Sequence, residues 1–264
     1  MKSMFKTKKI LDIVYDQMHP DDCVLDMYLP HTEEACPVLV FFHGGGIESG
    51  SRKIGELQTI EALVQDGIAV ISVDYRMYPN AQFPNFLEDA AKAFSWTVNY
   101  KCGDFHFNKF FLGGSSAGAY ISMMLYFDNR YLGKYMISPN LISGYIFDAG
   151  QPTVHFSVLR ERGEDTRIIR VDEAAPLYFI NKTVEFPENM PRFLILVAEN
   201  DLEGRLEQTQ LLLKTMQVFG YDMSRITFKL MQGYTHCGYL STQNENGEYI
   251  YYLMLRDFLL KEKE

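Results

Sequence analysis

The stretch FLGGSSAGAY contains Gly114-Ser115-Ser116-Ala117-Gly118, a G-x-S-x-G pattern centred on Ser116. An apolar run (KFFL) precedes it and a helix-like run (AYISMMLYF) follows. A sharp strand-to-helix turn at this point lifts a serine hydroxyl above a sheet, and small flanking residues let backbones pass closely there. The helix start beneath the hydroxyl favours developing negative charge. This is the arrangement of a nucleophilic serine. Ser115 is a weaker candidate, because its own i+2 position is Ala117 rather than Gly.

A second motif, His43-Gly44-Gly45-Gly46, directly follows the apolar run PVLVFF. Consecutive glycines allow several backbone N–H groups to converge on one point, which in acyl transfer is the oxyanion of a tetrahedral intermediate. The expected donors are Gly44 and Gly45, joined by the N–H of Ala117, the residue after the nucleophile. The loop lacks the Lys and Ser/Thr of a phosphate-binding P-loop. His43 is read as a structural residue of the loop.

A serine nucleophile needs a base, and the base needs an orienting acid. Only His155 and His236 lie downstream of Ser116. His155 falls in an irregular segment, whereas His236 in GYTHCGYL follows a strand-like run and precedes the terminal helix-like stretch, so His236 is the expected base. Asp201 lies just past the run FLILV and is the expected acid, with Glu199 and Glu203 as flanking alternatives. The chain order Ser116, Asp201, His236 suits a hydrolase built on this kind of sheet.

The elements that must position these residues alternate. Short apolar runs at 37–42, 68–73, 109–112, 142–147, 193–197 and 226–231 read as strands covered on both faces. Helix-like stretches lie at roughly 54–66, 84–100, 117–128, 204–219 and 248–261. Alternation of this kind predicts an α/β fold with a mostly parallel sheet and helices on both faces. VLDMYLP at 24–30 alternates with period two and reads as an antiparallel strand. No linker divides the chain, so residues 1–264 are expected to form one domain. The segment at about 150–190 breaks the rhythm and reads as an insertion above the sheet, a candidate lid.

Composition narrows the function classes. The 264 residues are 47% hydrophobic and 22% charged, with a net charge of −9. These are globular proportions, and an acidic surface without a basic cluster argues against nucleic-acid binding. No apolar run approaches the length of a membrane span. The N-terminus does not read as a secretory signal, and four scattered cysteines form neither a disulfide scaffold nor a C-x-x-C pair. A cytoplasmic enzyme acting on a small molecule, without metal or organic cofactor, is expected.

With these motifs in order, the chain resembles the α/β-hydrolases, and most of all the esterase/lipase branch related to hormone-sensitive lipase and to small bacterial acetyl- and carbohydrate-esterases. The resemblance extends to SVDYRMYPNAQFPNFLEDAAKAFSWTV, where Asp74, Tyr75, Arg76, Pro79, Pro84, Asp89 and Trp96 occupy places that are mainly structural in that branch. It implies a sheet of about eight strands, a Ser116–His236–Asp201 triad and an oxyanion hole of Gly44, Gly45 and Ala117. Fewer than about 40 residues precede the run before His43, so the helical cap of the larger lipases is not expected and short acyl groups fit best. The expected activity is short-chain, acetyl-like ester hydrolysis, including carbohydrate-linked esters. Two alternatives stand beside it: an amide-type hydrolase similar to kynurenine formamidases, and a non-catalytic binding protein on the same fold. Glu48 is read as a loop-surface residue and Cys237 as a packing residue.

Overall fold

A computed structural model describes residues 5–32, 34–53, 57–100, 106–180 and 190–261. Its centre is an eight-stranded sheet with strand order β1-β2-β4-β3-β5-β6-β7-β8. The strands are β1 (Thr7–Val14), β2 (Val24–Pro30), β3 (Cys36–Phe42), β4 (Ala69–Val73), β5 (Phe107–Ser115), β6 (Gly144–Asp148), β7 (Arg192–Asn200) and β8 (Ile226–Thr235). From β4 to β8 in that order all neighbours are parallel, while β1 and β2 pair antiparallel at one edge.

Alternation along each strand divides the core into two layers. Val38, Val40 and Phe42 face one layer, and Leu39 and Phe41 the other. The first layer is covered by α2 (Asn85–Asn99), α3 (Ala117–Phe127) and α7 (Arg205–Val218), the second by α1 (Leu57–Gln65) and α8 (Ile250–Leu260). Helices on both faces explain why β3 is apolar throughout and β4 is apolar but for Ser72. All residues of α3 are buried, as a helix apolar around its whole circumference must be.

One expectation needs correction, and one strand was not expected. Strand β8 is an edge strand rather than one covered on both faces, and Phe228 and Leu230 are exposed on it. Strand β1 escapes a reading by apolar runs because its TKKILDIV sequence is half exposed; edge strands carry lysines and bends of this kind. Asp12, at φ 57°, sits in its register irregularity.

The insertion is packed rather than loosely laid above the sheet. In its described part, α5 (Phe156–Glu161) and α6 (Pro176–Phe179) send Val158, Leu159, Leu177 and Phe179 into the core. The Tyr120 hydroxyl of α3 donates to the Ala174 carbonyl at 2.8 Å. Between them the charged stretch around 160–173 stays mostly in solvent. Residues 181–189 of the insertion, and 54–56 of the expected first helix, lie outside the described residues. Among the described residues no helix is long and apolar enough to cross a membrane.

Candidate active site

Sheet register brings the expected site residues together. Phe42 on β3 pairs with Gly114 on β5, so the glycine loop leaves the sheet alongside the Ser116 turn. A side chain at Gly44 would lie 3.3 Å from the Ser116 Cβ. The two pattern glycines are dictated by the same approach. A Cβ at Gly114 would come 2.3 Å from the Phe42 carbonyl oxygen, and one at Gly118 would come 1.9 Å from it. Ser116 itself holds φ 53° and ψ −112°, a conformation costly for a residue with a Cβ. Its N–H donates to the Asp148 carbonyl at 2.7 Å and its carbonyl accepts from the Tyr120 N–H at 3.1 Å, which hold the turn in place.

The second pairing that matters joins β7 and β8. After Ala198 pairs with Met231, the next pair is Asn200 with Thr235, so β8 carries two extra residues there. Gly233, at φ +77°, lies within this bulge, and its N–H donates to the Glu199 carboxylate at 2.8 Å. The bulge makes Asp201 and His236 the next residues on neighbouring strands. His236 Nδ1 lies 2.6 Å from Asp201 Oδ1, and His236 Nε2 lies 2.9 Å from Ser116 Oγ.

With Asp201 ionised, Nδ1 carries the proton donated to it, which leaves Nε2 to accept from the serine hydroxyl. Burial pushes the Asp201 carboxyl up, but His236 and the N–H groups of Leu202 and Ala198 outweigh it, so its pKa lies below the ordinary value. Those N–H groups donate at 2.7 and 3.2 Å. The acid is therefore held in its charged form.

The alternatives fall elsewhere. His155 is fully buried as the N-cap of α5, accepts from the Ser157 N–H at 3.2 Å, and packs on Tyr120 and Phe156. Glu199 is occupied with the β8 bulge. Ser115 is buried and donates to Asp148 Oδ2 at 2.6 Å. Glu48, on the loop surface as expected, pairs with Arg160 and so ties the glycine loop to α5. His43 stacks on Tyr75 with centroids 4.5 Å apart, and its carbonyl accepts from the Tyr75 hydroxyl at 2.8 Å. Burial lowers the pKa of the His43 ring, which suits a neutral structural residue. Arg76 clasps Asp89 through two side-chain bonds at 2.8 and 2.7 Å, which gives the D-Y-R segment a structural role.

Three features were not legible in the motifs. One is the buried Asp148, with Ser115 and the Tyr239 hydroxyl as partners. Another is the buried Arg205, whose guanidinium donates to the Ala149 carbonyl and Gln151 Oε1 and so fastens the start of α7 to the loop after β6. Both residues lie at element ends, where sequence shows only an ordinary charge. The third is a cleft of about 540 Å³ between the insertion and the start of α7, lined among others by Gln151, Phe156, Ile168, Ile169, Leu202 and Arg205 and by none of Ser116, Asp201 and His236. The Phe156 ring also lies where a Gly46 side chain would be, which links this cleft to the glycine loop. A possible metal set, Asp16, Cys23 and Asp89, has its carboxylates already paired with Lys92 and Arg76, and burial pushes the Cys23 thiol up to about 12.

Comparison with known proteins agrees with this fold. The BD-FAE family model matches residues 25–136. The carboxylic ester hydrolase LipN of Mycobacterium tuberculosis is 35% identical over 105 residues, 37% of this chain and 27% of that protein. The chain spans between 12% and 29% of the length of the first curated relatives it matches. Among solved structures, esterase B from Lactobacillus rhamnosis superposes with a TM-score of 0.72 at 18% identity, covering 96% of this chain and 85% of that one. A truncated carbohydrate esterase from gut microbiota gives 0.72 at 17% identity, covering 98% and 97%. Strand order, helix placement and these superpositions show an α/β-hydrolase fold, and within it residues 25–136 match the BD-FAE family model.

Proposed function

We propose that the protein is a serine carboxylic-ester hydrolase that acts on short-chain acyl esters of small molecules, carbohydrate-linked acetyl esters among them. The observation that carries the reading is the unbroken line from Asp201 through His236 to Ser116 Oγ, with both links at hydrogen-bond length and the serine on a strained turn. In this reading Ser116 Oγ attacks the ester carbonyl carbon while its proton passes to His236 Nε2. The N–H groups of Gly44, Gly45 and Ala117 receive the oxyanion, and such preorganised donors are worth about 3–4 kcal/mol each at the transition state. The C–O bond to the alcohol then breaks, and His236 returns the proton to the leaving oxygen. Water, deprotonated by the same imidazole, cleaves the acyl-enzyme and releases the acid.

The short-acyl preference is supported by the insertion, whose charged stretch around 160–173 stays mostly in solvent and whose Ile168, Ile169 and Val171 are exposed rather than gathered into an apolar wall. A long chain gains about 0.8 kcal/mol per methylene only where apolar walls receive it. The same reading has no role for nucleic acid or a membrane, and it expects an enzyme of the cytoplasm.

The test is kcat/KM across p-nitrophenyl esters of two to twelve carbons, with acetylated xylan and N-formylkynurenine alongside, for the native protein and Ser116→Ala. Activity should peak at about two to four carbons, and Ser116→Ala should lower kcat by on the order of 10⁴-fold or more. A maximum at eight carbons or beyond would overturn the short-acyl preference. Near-normal turnover by Ser116→Ala would overturn the nucleophile.

A further inference from the structure

Asp148 closes β6 and is completely buried. Its carboxylate accepts two hydroxyl bonds at once. Ser115, the residue before the nucleophile, donates to Oδ2 at 2.6 Å, and the Tyr239 hydroxyl donates to Oδ1. The backbone adds a third link, because the Ser116 N–H donates to the Asp148 carbonyl at 2.7 Å. On the other side, Tyr239 sits three residues after His236 in the tight turn that follows β8, where Gly238 N–H bonds Thr235 and Leu240 N–H bonds Cys237. Cys237 in that turn has φ 56°, so the segment carrying His236 is a strained one that needs an anchor. The Tyr239 ring is fully buried between Tyr234 and Tyr251, and the Tyr251 hydroxyl lies 3.2 Å from Ser115 Oγ.

We propose that Asp148 is a positioning residue for ester hydrolysis: it fastens the turn that carries His236 to the turn that carries Ser116, and so fixes the distance across which the proton moves. The inference rests on the hydrolase reading given above. The Ser115–Asp148–Tyr239 link is fully buried and runs directly from the turn of Ser116 to the turn of His236. Displacement of either turn by about 1 Å costs on the order of 10²-fold in rate. Ionisation matters as well, since only the carboxylate accepts from both hydroxyls without a proton of its own to place. Burial pushes the Asp148 carboxyl up to about 6, against the opposing bonds from Ser115 and Tyr239. The groups facing it are Ser115 from β5 and Tyr239 from the turn after β8, with Tyr251 of α8 reached through Ser115; His236 and Asp201 act on it electrostatically. Protonation of Asp148 near pH 6 therefore slackens the link.

The experiment compares the full-length native protein with Asp148→Asn, Tyr239→Phe and the double variant. It measures kcat and KM for p-nitrophenyl butyrate from pH 5 to 9, with thermal unfolding alongside. Each single variant should lose on the order of 10- to 100-fold in kcat with KM within about twofold. The double variant should be no worse than the poorer single, because both changes cut one link. Activity should fall more steeply towards acid pH in the native protein than in Asp148→Asn, whose amide cannot change its protonation near pH 6. Tyr239→Phe removes a single oxygen and serves as the test if Asp148→Asn does not fold. A lowered unfolding temperature with kcat and the acid limb unchanged, or fully multiplicative losses in the double variant, overturns the proposal. A native protein that hydrolyses no ester overturns the hydrolase reading instead.

Discussion

Gly118→Ala is the most informative single change, because its cost can be worked from one contact. The added Cβ would lie 1.9 Å from the Phe42 carbonyl oxygen, 2.6 Å from the Phe42 carbonyl carbon and 2.8 Å from the His43 carbonyl oxygen. All three are backbone atoms, so no side chain can swing aside, and the end of β3 must move away from the start of α3 by more than 1 Å. Overpacking of this kind costs about 1–3 kcal/mol. Alanine is the better helix former by about 1 kcal/mol, which offsets part of the cost but not a clash at the upper end. A net loss of about 2 kcal/mol lowers Tm by about 4–8 °C for a domain of this size. The kinetic loss should be larger, because Phe42 and His43 lead directly into Gly44 and Gly45, and moving those N–H groups by 1 Å costs on the order of 10²-fold in kcat. Gly133→Ala is the control. It lies in α4 (Asn129–Gly133), and a Cβ there meets nothing nearer than Asn129 Oδ1 at 3.7 Å. It should leave kcat unchanged and raise Tm slightly. Both are read by thermal unfolding and by kcat on a short p-nitrophenyl ester. If Gly118→Ala kept Tm and held kcat within threefold, the close approach of β3 to the nucleophile turn would be wrong.

Asp201→Asn should lower kcat by around 10⁴-fold by favouring the wrong imidazole tautomer, while Glu199→Gln and Glu203→Gln stay mild; steady-state kinetics on the three variants separates them. Because the folded Asp201 pKa lies below its unfolded value, its contribution to stability is complete above the unfolded carboxyl pKa and is lost as pH falls through the folded one. A Tm–pH series should accordingly show a shallower acid decline in Asp201→Asn than in the native protein below about pH 4. Asp89→Ala leaves the Arg76 guanidinium without its buried partner, and urea unfolding should register a loss of about 3 kcal/mol; a loss under 1 kcal/mol would make the pair ornamental.

The parts of this protein that sequence alone determined are those whose physics is local. The G-x-S-x-G turn and the glycine run after β3 are legible because a backbone that must pass within van der Waals contact of another tolerates only hydrogen at Cα, and that demand is written directly as Gly44, Gly114 and Gly118. The strand and helix alternation is legible because two-sided burial requires apolar runs. Tertiary structure decided what depends on register. The choice of Asp201 over Glu199 comes from the β8 bulge, which adds two residues and makes Asp201 and His236 neighbours while Gly233 occupies Glu199. Sequence favours His236 over His155 by its place after a strand-like run, and the structure supplies the reason: His155 caps α5 inside the core, while His236 follows an edge strand and lies beside the serine. Asp148 is separated from Ser115 by 33 residues and from Tyr239 by 91, and only the β5–β6 pairing and the turn after β8 bring them together. A carboxylate's neighbours, unlike a glycine's steric demand, are set by which strands lie side by side, and no short window of sequence contains that information.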